Sequence, residues 1–333
     1  MPNYRITYAS NALAIKADGE TVWTPIHGVQ TAVVNTNFTQ EQVYELGQLE
    51  PYENLETLPN IEVQVERVLD GEALLYHIST QNAPTNALIA KSKEKCDVAI
   101  SIYNEEVEQS EGVPISTVIC SGMYINSLTY NFPVNGNFTE QINYVGNDKV
   151  WAYTGAGLVS IASGVFGGDE PVDTVKRRQH VIMGASASGS VWPTEIQGIS
   201  ASGFNEYTGE DLNAHIQDVS ISINLGREDL LELGRRKPYY RYATTPVQVQ
   251  TTIAVTTGGN TPGDNINADS ERDNLTNQRI VIYLTDGTVF DLGTKNKLST
   301  VAFNAAPAGQ STPANTQYTY TNFNIFTVTS PSL

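Results

Sequence analysis

Alternation of apolar and polar residues with a period of two recurs along the chain and predicts β-strands. The clearest runs are IEVQVERVL (61–69), VQVQTTIAV (247–255) and the segment 216–223, in which Val219, Ile221 and Ile223 alternate with polar residues. The segments 96–103 and 114–130 are further predicted strands. We therefore expect a mainly β chain.

Tight turns separate several of these strands. Asp18-Gly19, Asn135-Gly136 and Asp286-Gly287 each lie between two apolar runs. Asn-Gly and Asp-Gly favour the turn whose twist matches that of paired strands, so each predicts a β-hairpin. The segment 87–95 (ALIAKSKEK) is predicted to form a short helix.

Two segments of the chain repeat one another. Residues 30–59 and 217–246 align without a gap at an offset of 187, with ten identities in thirty positions. An upstream echo, Val22-Trp23 and Val191-Trp192, has an offset of 169 and implies an insertion in the second copy, for which 199–215 is the best candidate. A repeat in the same order indicates duplication of a whole domain.

Each repeated segment has the same predicted anatomy. A strand is followed by a short helix, 40–46 in the first copy and 227–233 in the second. Gly47 and Gly234 occupy the position of a left-handed helix C-cap, and a proline four residues later stops the helix. A tyrosine-rich loop then leads into the next strand.

These observations predict two tandem domains. The first spans 1–154, and a Gly- and Ser-rich linker spans 155–179. The second domain spans 180–333 and contains the insertion near 199–215.

Composition narrows the possible functions. The chain has 36 acidic and 19 basic residues and a net charge of −17, which argues against a surface that grips DNA or an anionic membrane. No transmembrane segment or signal peptide is predicted. The two cysteines, Cys96 and Cys120, are expected to be free and buried in a reducing compartment.

No catalytic or metal-binding motif is complete. The four histidines lack metal-ligand spacing. The run 184–188 (GASAS) lacks the final glycine of a nucleophile elbow, and 265–269 lacks the glycine and glutamate that an EF-hand loop requires. A looser calcium site there is an alternative to a solvated loop. We expect no catalytic residue, no metal and no cofactor.

The chain contains one acidic and two basic runs of charged residues. The acidic run 105–111 is most simply a solvated hairpin tip. The basic runs 176–178 and 235–237 either pair with acids of a neighbouring subunit or are ordinary surface.

A duplicated domain without an active site fits an assembly role. Two copies per chain would let three chains form a ring of six similar units. If the acidic residues faced a lumen, passing DNA would be repelled and would not adhere.

Two segments carry a resemblance to a known family. Residues 38–71 resemble a segment of tailed-phage structural proteins, and 122–151 resemble the closing strands of bacteriophage tail tube proteins. The resemblance covers about 25–151 well and 180–326 less well. It implies a β-sandwich or half-barrel with a flanking helix in each domain. It also implies a virion tail location after assembly in the host cytoplasm.

The family also implies partners. Trimeric, pseudo-six-fold rings would stack into a tube, contact tape measure, sheath or baseplate proteins, and pass DNA only as transient cargo. Loops that reach neighbouring subunits would include the prolines, tyrosines and basic residues of the repeat. The candidate contact residues are Pro51, Tyr52, Pro59, Arg235, Arg236, Lys237, Pro238, Tyr239 and Pro246.

These loops could equally pack on their own domain. They differ in charge between the copies, since Gln48-Leu49-Glu50 becomes Arg235-Arg236-Lys237. Alternation of the copies around a ring would favour pairing of unlike neighbours.

Two other functions compete with the tube. One is a baseplate hub or tube-initiating ring, which would stop at a single ring. The other is a receptor- or carbohydrate-binding protein, for which 239–242 (YYRY) would have to form an exposed aromatic platform. An enzyme is the least favoured interpretation.

Overall fold

The computed structural model describes residues 6–104, 113–161, 175–183, 189–196, 214–257, 275–304 and 315–330. This part of the chain is mainly β with a few short helices, as the sequence predicts. The elements of the first half are β1 (Asn11–Ala17), β2 (Thr24–Pro25), β3 (Val29–Asn37), β4 (Gln40–Val43), β5 (Glu53–Glu56), β6 (Asn60–Val68), α1 (Leu75–Ser79), α2 (Leu88–Lys91), β7 (Lys95–Ile102), β8 (Ser116–Pro133), β9 (Thr139–Gly146) and β10 (Asp148–Ala152). Those of the second half are β11 (Ala214–Asn224), β12 (Arg227–Leu230), β13 (Tyr240–Ala243), β14 (Gln248–Thr257), β15 (Val281–Tyr283), β16 (Val289–Asp291), β17 (Lys297–Asn304), β18 (Asn315–Phe323) and β19 (Thr327–Thr329).

One antiparallel path of eight strands runs through both halves, in the order β3-β6-β9-β8-β11-β14-β18-β17. The long strand β8 connects two parts of the sheet. Its first half pairs with β7 and β10, and its second half lies between β9 and β11. The domain boundaries drawn from the sequence stay a prediction; β8 and β11 are hydrogen-bonded neighbours across them.

The eight strands consist of one order repeated twice. We call β3-β6-β9-β8 the first strand unit and β11-β14-β18-β17 the second strand unit. A β-bulge interrupts β3 at Gln30 and β11 at Gln217, which are 187 residues apart. A second bulge interrupts β8 at Asn126 and β17 at Ser299, an offset of 173. The two units therefore correspond strand by strand.

The registers fix the remaining correspondences. Asn37 pairs with Asn60 in the first unit, whereas Asn224 pairs with Gln248 in the second, so the offset grows to 188 at β6 and β14. The gap-free alignment through Pro59 and Pro246 thus departs from the structure by one residue. Asn131 pairs with Thr139, and Asn304 with Asn315, which gives an offset of 176 for β9 and β18.

A continuous core lies against one face of this sheet. Alternate residues of the strands point into it, as Ile61, Val63 and Val65 do on β6. The strands β1 and β7 close the core over the first unit, and the small sheet β15-β16-β19 closes it over the second. Aromatic side chains join the two halves, since the rings of Tyr130 and Phe290 lie 4.8 Å apart.

The three predicted hairpin turns are confirmed. Residues 18–19, 135–136 and 286–287 lie within the connections 18–23, 134–138 and 284–288, which join β1 to β2, β8 to β9 and β15 to β16 as hairpins, and each glycine has a positive φ. The helix predicted in 87–95 is present as α2.

The helices predicted at 40–46 and 227–233 are wrong. These residues begin β4 and β12, which pair with β5 and β13 as hairpins. Gly47 and Gly234 do adopt positive φ, of 96° and 86°, but at the hairpin tips and not at helix ends. Long-range pairing has overridden the local helix propensity.

Several predicted features fall outside the described residues, wholly or in large part. They are the linker core (162–174), most of the insertion (199–213), the GASAS run, the EF-hand-like loop and the run 105–111. Cys96 and Cys120 are free and buried, as predicted. Burial raises the pKa of the Cys96 thiol to about 12 and that of Cys120 to about 11.

Candidate functional site

Two hairpin arms extend from the sheet, one from each unit. The first arm comprises residues 40–56 and the second arm residues 227–243. Their ladders have identical registers at an offset of 187, since Gln40 pairs with Glu56 and Arg227 with Ala243. Each arm prolongs the hairpin that opens its unit, β3 with β6 or β11 with β14.

The first arm is bare. Residues 40–50 and 52–56 are all exposed, and the apolar side chains of Leu46 and Leu49 at its tip are fully so. Tyr44 and Tyr52 are also largely exposed. Apolar side chains concentrated on a solvated projection indicate a surface that another molecule covers.

The second arm, in contrast, docks on the first strand unit through Arg227. The guanidinium donates from Nε to the Ile125 carbonyl at 2.8 Å and from Nη1 to the Ser92 carbonyl at 2.8 Å. It also lies over the Tyr124 ring, 5.2 Å from its centroid. Burial lowers the pKa of Arg227 to about 10, so it stays charged at neutral pH.

Three further side chains of the second arm complete this joint. Arg241 is buried and donates from Nη2 to Asn147 Oδ1 at 2.8 Å. The ring of Tyr240 packs edge-on against Tyr124 with centroids 5.8 Å apart. Lys237 forms an exposed ion pair of 2.9 Å with Asp148.

The structure distributes the predicted contact residues between the two arms and their bases. In the first copy, Tyr52 is exposed, and Pro51 and Pro59 are half-buried. In the second, Arg235 pairs with Glu232 of the same arm at 3.0 Å. The other predicted contact residues of the second copy, Arg236, Pro238, Tyr239 and Pro246, are exposed or half-buried.

The basic runs have partners within the chain. Lys176 is buried and lies 3.5 Å from Asp286 of the β15–β16 turn. Arg177 donates to Asn137 at 2.9 Å. Lys237 reaches Asp148, at the start of β10 in the first half of the chain, so the in-chain joint includes an ion pair between a basic residue of the second arm and an acidic residue of the first half.

The run 239–242 does not form a flat platform. The rings of Tyr240 and Tyr242 are inclined by 61°, and Tyr240 packs against Tyr124. Because stacked sugar recognition needs an open planar face, this arrangement gives no support to carbohydrate binding.

The eight-strand path ends in two open edges. Among the described residues, β3 pairs only with β6 and β17 only with β18. Neither edge carries a proline, and the β3 sequence VQTAVVNTN has no charge. Natural proteins guard edge strands with charges, prolines or bulges, because a free edge invites pairing with another chain. The bulges at Gln30 and Ser299 and the charge of Lys297 lie near one end of each edge strand, so the uncharged remainders of the two edges, 31–37 and 300–304, are candidate interfaces.

The sheet face opposite the core is polar. Its outward positions on the eight strands are mostly Ser, Thr, Asn and Gln. The described carboxylates on this face are Glu62, Glu66 and Asp218. Lys297, at the start of the edge strand β17, is the one lysine or arginine among these described strand positions.

A buried polar network centred on Glu140 supports the first unit. Glu140 on β9 accepts hydrogen bonds from the amides of Leu75 (2.8 Å) and Tyr76 (3.1 Å), where α1 begins, and from the Tyr130 hydroxyl (2.9 Å). Burial raises the pKa of the Glu140 carboxyl, and the nearby charge of Arg67 opposes that shift. The network fixes α1 on the sheet.

A second buried pair joins the two helices. Lys91 Nζ donates to His77 Nδ1 at 3.0 Å. Burial and the charge of Lys91 lower the pKa of His77 to about 4, and burial lowers that of Lys91 to about 8. Both side chains are occupied with each other inside the core.

A cleft of about 540 Å³ lies where the two halves meet. Phe132, Phe138, Trp192 and Val219 line it, and Arg178 is its one ionisable residue among those described. In the same part of the chain, no group of three or more His, Cys, Asp or Glu is disposed to hold a metal ion.

Sequence reasoning missed Arg227 and Arg241, which carry the in-chain joint. The repeat itself carried a signal for these two residues, because uncharged Gln40 and Asn54 occupy the equivalent positions of the first copy at the offset of 187. It also missed both open edges, because no residue pattern states which strand ends a sheet.

No helix in the described residues is long and apolar enough to span a membrane. No protein-family model matches the chain, and no curated protein matches it.

The solved structures with weak similarity to this chain include two from one particle. One is a chain of the anti-feeding prophage cap, the tube-terminating cap, with a TM-score of 0.35 and 14% identity over 46% of this chain and 95% of that chain. The other belongs to the anti-feeding prophage baseplate, with a TM-score of 0.32 and 14% identity over 46% of this chain and 97% of that one. Both TM-scores are low, and no conclusion about this chain rests on them.

Proposed function

We propose that this protein is a non-enzymatic structural subunit that forms the stacked rings of a bacteriophage tail tube. The observation that carries the proposal is the repeated strand order with its two open edges. Within one chain, the last strand of the first unit, β8, pairs with the first strand of the second unit, β11. The last strand of the second unit, β17, and the first strand of the first unit, β3, are left without partners of this kind in the described residues.

The in-chain joint is a template for a joint between chains. In the proposed ring, β17 of one copy pairs antiparallel with β3 of the next. Leu128 pairs with Ile223 in the chain, and the offsets of 173 and 187 convert this pair into Val301 with Thr36. The same conversion pairs Ala302 with Asn35 and Thr300 with Asn37.

Three copies joined in this way form a pseudo-six-fold ring, because each chain supplies two similar units. A closed sheet abolishes its edges. Further layers of the chain cover its apolar face, and these layers need the wider outer side of a ring. The polar face therefore lines the lumen. With three carboxylates and one lysine on this face among the described strand positions of each chain, the lumen lets DNA pass without holding it.

The same proposal includes the location and partners of the protein. Rings are assembled in the host cytoplasm, stack into the tail of the virion and contact tape measure, sheath or baseplate proteins. DNA is transient cargo of the lumen, and no metal or cofactor takes part.

Microscopy tests the proposal at low resolution. Negative-stain images of the purified protein are expected to show rings or tubes with a central channel. Long tubes favour a tail tube subunit, and single rings favour a hub or tube-initiating protein. A protein that stays monomeric at all concentrations contradicts ring formation.

Cross-linking tests the strand pairing itself. Paired Cα atoms of antiparallel strands are about 4.5–5.5 Å apart, a separation that a disulfide spans. The double variant Asn35→Cys/Ala302→Cys is therefore expected to yield covalent dimers and trimers on oxidation. Asn35→Cys/Phe303→Cys, whose second cysteine points to the opposite face, is the matched control. Equal cross-linking of both variants contradicts the proposed register.

A further inference from the structure

We infer that the first arm docks on the second strand unit of the neighbouring copy whose β17 pairs with its own β3, where Glu53 of the arm pairs with Lys297 of that neighbour. The inference rests on the proposed ring and names the contact that selects its neighbours. The proposed joint between chains then includes the first arm as well as the edge strands. Pairing of β17 with β3 does not by itself require this arm contact.

The template is again the in-chain joint. The second arm lies on the first unit, and its Tyr240 ring meets Tyr124 at 5.8 Å. The residue of the first arm that corresponds to Tyr240 at the offset of 187 is Glu53. The residue of the second unit that corresponds to Tyr124 at the offset of 173 is Lys297. An aromatic pair within the chain thus becomes a pair of opposite charges between chains.

Both charges are available for this contact. Glu53 and Lys297 are exposed, and neither forms an ion pair with any described residue. Lys297 is also the only described lysine or arginine on the polar face, and it lies at the open edge. Its position is explained if a carboxylate of the neighbour lies against it.

The same correspondence excludes the wrong neighbour. Arg227 of the second arm lies over the Tyr124 ring at 5.2 Å. If a second arm docked on a second unit, Arg227 would face Lys297 in place of that ring. Two cations at such a separation repel each other, and repulsion of this kind is a common source of pairing specificity. Second units therefore accept first arms and reject second arms.

The rest of the first arm fits this assignment. Its Gln40 replaces Arg227 and Glu50 replaces Lys237, so the arm brings no cation towards Lys297. On the receiving unit, the exposed Phe323 takes the place of Asn147, the acceptor of Arg241 in the chain. By the same correspondence Asn54 of the first arm, the counterpart of Arg241, lies against Phe323 in the proposed joint.

Charge reversal tests the inference in the full-length protein. Glu53→Lys and Lys297→Glu are each expected to raise the concentration required for ring formation by about tenfold or more, since like charges then meet at the joint. The double variant Glu53→Lys/Lys297→Glu is expected to return to within about threefold of the wild type, because opposite charges are restored. Sedimentation velocity and negative-stain microscopy provide the measurement.

Glu41→Lys is the matched control. It makes the same charge change on the same arm, and the carboxylate of its counterpart Glu228 forms no ion pair or hydrogen bond with the described residues. This control is expected to assemble like the wild type. Urea denaturation of each variant verifies that the fold is unchanged.

The outcomes separate this inference from the proposed function. Single variants that form rings at the wild-type concentration overturn the arm contact and leave the ring intact. Impaired single variants without rescue in the double variant overturn the Glu53–Lys297 pair. A wild-type protein that forms no ring at all overturns the proposed function itself.

Discussion

The two arms have the same ladder and opposite surroundings. The second arm lies on the first strand unit through Arg227, Arg241 and Tyr240, whereas the first arm is exposed along almost its whole length. An isolated two-stranded hairpin is at best marginally stable in water. The docked arm therefore displays the contacts that the bare arm lacks, and the difference locates a missing neighbour.

The cores of the two units also differ, at one equivalent position of the sheet. Glu140 on β9 corresponds to Thr316 on β18 at the offset of 176. Glu140 binds the start of α1, while the buried Thr316 hydroxyl has no hydrogen-bond partner among the described residues. One sheet position thus serves a polar network in one unit and packing in the other.

The largest expected effect concerns this position. Glu140→Ala leaves two buried amides and the Tyr130 hydroxyl without their partner, and is expected to cost about 3–5 kcal/mol of unfolding free energy, whereas Arg67 keeps its ion pair with Asp70. Thr316→Val removes an unpaired hydroxyl and is expected to change stability by less than about 1 kcal/mol. Urea denaturation of both variants is the measurement, and equal losses contradict the assigned difference.

A pH titration sharpens the same comparison, because the His77–Lys91 pair belongs to the first half alone. The unfolded chain takes up a proton at His77 below its ordinary pKa of 6.5, and the folded protein does so only near 4. The unfolding free energy therefore falls as the pH falls through this window, by about 3 kcal/mol from this group.

His77→Gln isolates that contribution. Glutamine retains an acceptor for Lys91 and has no proton to gain. The difference in stability between wild type and variant, followed by urea denaturation from pH 7 to 4, is expected to shrink by this amount towards acid. Parallel curves for the two proteins would show that His77 does not titrate as described.

Arg227 and Gln40 occupy equivalent positions on the two arms. Arg227→Ala removes four hydrogen bonds, two to the Ile125 carbonyl and one each to the Ser92 and Arg241 carbonyls, together with a ring contact, with an expected loss of about 2 kcal/mol. Gln40→Ala, on the bare arm, is expected to stay within about 0.5 kcal/mol in the isolated chain. A comparable loss for both would mean that the first arm is docked within its own chain.

The smallest effect is expected for Lys237→Ala. Its ion pair with Asp148 is about half exposed on both sides, and such surface pairs contribute about 0.2–1 kcal/mol. Thermal denaturation at low and high salt is the measurement. A loss well above this range would assign Lys237 a larger part in the joint than its exposure indicates.

Local patterns predicted most of the strands and the three hairpin turns. They failed at 40–46 and 227–233, where helix-forming residues followed by a glycine are typical of a capped helix. There the glycines serve hairpin tips instead, because the ladder with 53–56 or 240–243 satisfies the backbone through residues distant in sequence. Of the candidate site, the sequence located the two loops and their opposite charges, but not the arginines that anchor one of them.

By itself, the sequence determined the repeat, the alternation that separates a polar sheet face from the core, and the exchange of basic for acidic residues between the arms. These are local properties, written in the order of residue types. Only the tertiary structure decided that β8 pairs with β11 and that β3 and β17 are left as edges. It also decided that Glu53 and Lys297 occupy the places that Tyr240 and Tyr124 hold in the in-chain joint. Strand pairing joins residues far apart in the chain, so its order follows from the packing of the whole core and not from any segment alone.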